Sequence, residues 1–149
     1  MISIFRFFIV IASCFVTLLC NAQVQVSTKQ LIGTKWEETS RIVGGTSETP
    51  HNKIVIEFDK NVFLNSIYFN TEPTTAQFKY YLSDTEPSNV FNYNLVGTNN
   101  KGKHIVLYND KLNKVFHYTF ISFNDDEMVL YHKAGEYKID CYVTYKRVK

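Results

Sequence analysis

Little in this chain can staple or kink it: 149 residues hold three cysteines, three prolines, six glycines and a single tryptophan. Cys14 and Cys20 fall in the first 22 residues, so a chain processed there keeps Cys141 alone and has no internal disulfide open to it. A domain of this size in an oxidising compartment must then be held by its core. Cys141 falls on an apolar alternation with Ile139, Val143 and Tyr145 and reads as a small buried hydrophobe. Helical apolar spacing is missing from every long interval, which excludes a helix bundle. Repeats at solenoid period are missing too. Sixteen Lys and Arg nearly balance fourteen Asp and Glu, and the lysines near the C-terminal half alternate with acids, so no nucleic-acid partner is expected. The one long apolar run, 7–19, is shorter than a membrane span and has no successor, so no transmembrane span is expected in the mature chain.

Arg6, the run 7–19 and Cys20-Asn21-Ala22 stand in the charged, apolar, small order of a secretory signal peptide, with cleavage expected before Gln23. The protein is therefore expected to be exported, to the periplasm or the extracellular space. Ile11-Ala12-Ser13-Cys14 offers the alternative of a lipobox, which would make a membrane-tethered lipoprotein through Cys14. Cleavage there would leave five residues of the apolar run on the mature end, which favours plain secretion. The chain divides into a signal peptide at 1–22, a polar leader at 23–33 and one domain at 34–149.

That domain reads as short alternating segments between turn clusters. Strands are expected near 35–42, 53–58, 62–70, 77–83, 89–96, 103–109, 114–123, 127–132 and 137–148. The first puts Trp36, Glu38, Ser40 and Ile42 on one side, and Gly44-Gly45-Thr46-Ser47 breaks it as a mobile turn. A helical turn is expected near 27–32. Sequence-adjacent strands with one apolar face leave no unpaired edge if they curl shut, so the fold class is all-β, an antiparallel up-and-down barrel of about eight to ten strands.

Motifs for chemistry are few. The histidines, His51, His104, His117 and His132, include no close ligand pair, so no metal and no cofactor is expected. Asp125-Asp126-Glu127 lacks the ordered oxygen positions and glycine of a calcium loop. Neither Gly-x-Ser-x-Gly nor a supported nucleophilic cysteine is present, so no catalysis is assigned. What the chain has in quantity is ten Tyr and twelve Phe. A tyrosine inside a barrel gives an apolar wall with a polar tip, and parity nominates Tyr68, Tyr80, Tyr93, Tyr108 and Tyr145 as ligand contacts. His104 and His117 share a phase with Val106, Tyr108, Val115 and Thr119, and His117 joins the inward set.

Gly33-Thr34-Lys35-Trp36 at the start and Thr144-Tyr145-Lys146-Arg147-Val148 at the end resemble the bacterial lipocalin-like domains. Ile56-Glu57-Phe58-Asp59-Lys60-Asn61 resembles their early hairpin, and the stretch 120–130 their penultimate one; the usual Gly-x-Trp is stretched here by one residue. The resemblance implies a structural plug in which Arg147 covers Trp36. It also implies a monomeric carrier of a small apolar or amphipathic molecule. The alternative is a side-chain-filled barrel that acts as a protein-interaction module of the cell envelope, an inhibitor or immunity-type protein.

Overall fold

The computed structural model describes residues 24–149; the expected signal peptide and the lipobox at Cys14 lie outside the described residues. In chain order the elements are β1 (Val26–Ser27), α1 (Thr28–Leu31), β2 (Thr34–Val43), β3 (Thr46–Glu48), β4 (Lys53–Phe58), β5 (Val62–Tyr68), β6 (Pro73–Ser83), a 3-10 turn (Tyr93–Leu95), β7 (Lys101–Gly102), β8 (His104–Asn109), β9 (Lys114–Phe123), β10 (Glu127–Ala134) and β11 (Ile139–Arg147).

Eight of these strands, β2, β4, β5, β6, β8, β9, β10 and β11, form a closed antiparallel barrel in which β11 returns to pair with β2. The extra strand β3 folds back on the far end of β2. Where strands alternate cleanly, the sequence dictates the result: Ile54, Ile56 and Phe58 face in, and Lys53 and Glu57 face out to pair with Glu37 and Lys35.

The lower end is solid. Trp36, Phe58, Phe63, Tyr80 and Met128 are all buried, with Phe58 edge-on to both Phe63 and Tyr80. The Tyr80 hydroxyl donates to the Asp59 carbonyl at 2.8 Å, which satisfies the one polar atom that ring carries inward. The segment before β2 belongs to this floor. Val26 and Leu31 are fully buried, β1 pairs with β7, and Thr28 Oγ1 donates to the Asn100 carbonyl at 3.2 Å.

Three expectations change. The alternation at 89–96 makes no strand: residues 84–100 form a long strap over the outside of β6, β8 and β9, with a single 3-10 turn. Its alternating Phe91 is spent on packing against Tyr81 and Tyr108 rather than on a ladder. The glycine turn after β2 leads into β3 rather than open loop. The phase of β2 breaks at a bulge, since Tyr145 faces Glu38 but Thr144 faces Ser40. Beyond the bulge Arg41 and Val43 share a face with the buried Val143 and Cys141, and Ile42 turns outward with Tyr142.

A parted seam in the barrel wall

The barrel is closed over its whole girth only in its lower half. β2 pairs with β4 from Thr34 to Glu37 and no further, and β9 pairs with β10 only between Phe123 and Thr119. Above those points the wall divides into two leaves. One holds β10, β11, β2 and β3, the other β4, β5, β6, β8 and β9.

The wider gap lies between Lys114–Tyr118 of β9 and His132–Ala134 of β10. It is a cleft of about 570 Å³, inside the range of small-molecule sites, roughly 300–1,000 Å³. Phe116, Tyr118 and His132 line its depth, and Lys114, Lys133 and Lys138 its rim. On the other side of the barrel a gap of about 240 Å³ between β2 and β4 is lined by Arg41, His51, Ile54, Ile67 and Phe69.

Polar side chains collect on the inner face of the first leaf. Glu38, whose side chain is 2% exposed, accepts from Arg41 Nε at 2.6 Å and from Nη2 at 2.8 Å. The bulge makes this pair, because it places residues three apart on one face of a strand. The Glu38 hydrogen bonds hold the Arg41 guanidinium charged and raise its pKa. Tyr118 of β9 meets His132 ring to edge, centroids 4.8 Å apart. Burial pushes the Tyr118 hydroxyl up to about 12 and the Tyr145 hydroxyl well above its ordinary value, so both remain proton donors at neutral pH.

His132 and Cys141 are directly opposed on β10 and β11. Burial lowers the imidazole and raises the thiol. Both shifts favour the neutral pair and oppose the thiolate–imidazolium form that a nucleophilic cysteine needs. The arrangement therefore suits holding a molecule by neutral donors and one fixed cation. Asn65 Oδ1 also faces inward, buried and without a hydrogen-bond partner among the described residues, on the rung of Trp36 and Ile56.

Of the residues nominated from sequence, Tyr80 and Tyr145 point into the barrel, Tyr80 in the packed floor and Tyr145 beside Glu38. The inward assignment of the others is corrected. Tyr68 lies outside, where the Lys53 ammonium sits over its ring at 5.7 Å. Tyr93 is on the strap, and Tyr108 packs against it on the outer face of β8. His117 shares that outer face with His104, the two covered by the strap and each with an unpartnered Nε2. For Tyr108, and for His117 paired with Val106 of the same strand, the physical reason is that β8 is buried on both sides, so alternation along it carries no direction. Tyr93 lies where no strand forms, and on β5 it is Phe63 and Ile67 that share the inward face of Phe58 and Ile54, which turns Tyr68 out.

Trp36 and Arg147 are cross-strand partners, with the guanidinium 5.7 Å from the indole centroid. The indole is fully buried and its N–H donates to Thr34 Oγ1 at 2.7 Å, while Arg147 covers it from the exposed rim.

Sequence parity missed Arg41, Tyr118 and His132. A Glu three residues before an Arg inside an otherwise amphipathic strand is the signal that could have shown the bulge. Compared with protein-family models, curated proteins and solved structures, the chain finds no match.

Proposed function

We propose that this is an exported lipocalin-like carrier that binds a small amphipathic molecule through the parted seam and performs no catalysis on it. The observation that carries the reading is the β9–β10 gap, an opening of ligand size with aromatic depth that leads to donors on the inner leaf. Phe116 and Tyr118 supply apolar surface, and Tyr118 and His132 supply polar contacts, while Arg41 lines the smaller gap on the other side of the barrel. The sequence resemblance at both barrel ends supports the family reading, and the barrel architecture is compatible with it.

Native mass spectrometry of protein purified from its own host is expected to show a bound small molecule. An apolar fluorescent probe such as N-phenyl-1-naphthylamine should bind at one site, with affinity about tenfold weaker in Phe116→Ala, the loss of one ring contact of roughly 1–1.5 kcal/mol. An empty protein that takes no probe would reject the carrier reading.

The packed floor and the exposed Ile42 and Tyr142 on the outer face of β2 and β11 favour the second reading, an envelope protein that binds another protein by its surface. That reading predicts a partner footprint on those two residues and no effect of Phe116→Ala.

A further inference from the structure

Outside the barrel, next to the seam, lies a cleft of about 410 Å³ whose walls are aromatic and whose edges are amides. We propose that it is a subsite for an uncharged polyhydroxylated group, a glycosyl ring, and that the ligand is a bipartite amphiphile with its tail in the seam and its sugar head here. The proposal rests on the seam being a ligand site and adds the chemistry of the head.

Three rings build the cleft. Phe91 of the strap stacks on Tyr108, centroids 5.2 Å apart and planes 29° off parallel, and Tyr93 stands at 81° to Phe91 and 72° to Tyr108. Tyr93 is 53% exposed, a large share for a ring already packed against two others. Such a corner accepts the C–H face of a pyranose, which is apolar though its rim is hydroxylated.

Asn89 and Asn113 complete the lining. The Tyr108 hydroxyl donates to Asn113 Oδ1 at 2.6 Å, which fixes that amide and leaves its NH₂ as the free end. The turn holding it is built in advance: Asn113 adopts φ 50°, and Asn109 Oδ1 accepts from the Leu112 N–H at 2.9 Å. A preformed rim loses little order on binding.

Charge narrows the class. Among the described residues no carboxylate lines this cleft; the Lys114 ammonium on its wall lies over the Phe116 ring at 5.3 Å, and the Lys79 ammonium, 5.3 Å from the Tyr93 centroid, is neutralised by Asp110 at 2.9 Å. A purely apolar group would leave the amides without partners, whereas sugar hydroxyls both donate to and accept from them. Asn89, Lys114 and Val115 line both this cleft and the seam, so one molecule can run from one to the other.

The test compares two amphiphiles of equal tail, n-decyl β-D-maltoside and decylphosphocholine, below their micelle concentrations by calorimetric titration. The maltoside is expected to bind at least fivefold tighter. Tyr93→Ala and, separately, Asn113→Gly, which keeps the positive φ of that turn, should remove that advantage and leave decylphosphocholine unchanged. Equal affinity for the two heads, or indifference to both substitutions, overturns the sugar subsite while leaving the seam standing. Binding of neither amphiphile overturns the seam reading and the subsite together.

Discussion

Glu38→Gln isolates the energetics of the inner leaf. The carboxylate is almost wholly buried and holds Arg41 by two hydrogen bonds, while Arg41 itself keeps 31% of its side chain exposed toward the gap. Breaking a fully buried pair costs about 3–5 kcal/mol, most of it from the charge left behind. Partial access of Arg41 to solvent and the weak acceptor that Gln retains reduce this to about 2–3 kcal/mol. For a domain of this length that is a fall in Tm of roughly 6–15 °C, read by circular dichroism or calorimetry. The double variant Glu38→Leu with Arg41→Met removes both desolvated charges and should return to within about 1 kcal/mol of the parent. Its recovery distinguishes a stranded charge from lost packing. A parental Tm in Glu38→Gln, or a double variant worse than the single, would refute the reasoning.

Other consequences are as concrete. Arg147→Ala should lower stability by about 0.5–1 kcal/mol, the worth of an exposed cation over an indole, and an unchanged urea midpoint rejects the Trp36 plug. His104 and His117 are both lowered from their ordinary 6.5, chiefly by burial; Lys103 and His117 add to the shift of His104, against Glu86 and Asp84, and the Ser88 backbone opposes that of His117. The unfolded chain therefore binds more protons just below pH 6.5. Stability is whole above that pH and falls as pH drops toward the folded-state values, by up to about 1.4 kcal/mol per pH unit for each imidazole. Urea midpoints at pH 7.5 and 5.5 should separate, and less so in the His104→Asn, His117→Asn variant; a flat or rising profile toward acid contradicts the burial of these rings. Gly102→Ala should cost roughly 2–3 kcal/mol, because a Cβ there meets the Ser83 backbone and loosens the β1–β7 clasp; a melting curve like the parent's would refute that clash.

Legibility followed burial. β4, β5 and β9 carry their large apolar side chains at alternate positions, as in Ile54, Ile56 and Phe58 or Phe116, Tyr118 and Phe120, and their positions were readable from that alternation although Val55 and Ser66 on the other face are buried as well. β8 was found but its direction was not, since His104, Ile105, Val106 and Leu107 are all buried. The set His104, Val106, Tyr108, Val115, His117 and Thr119 does share a face. Only the strap at 84–100, whose stretch 89–96 reads as a strand from its alternation, decides that this face is the outer one. The site suffered most, because it depends on a bulge in β2, whose one sequence signal is the spacing of Glu38 and Arg41, and on where two ladders stop, which leaves no signal in the sequence. Arg41 and His132 were visible as residues and invisible as neighbours.

The central claim is that the wall opens between β9 and β10 to admit a ligand. An NMR titration with N-phenyl-1-naphthylamine tests it most directly, by following every backbone amide. The account predicts shifts concentrated at 114–118 and 132–134, with the floor around Phe58 and Phe63 unmoved. Shifts confined to Ile42, Tyr142 and their outer neighbours, or none at saturating probe, would contradict it.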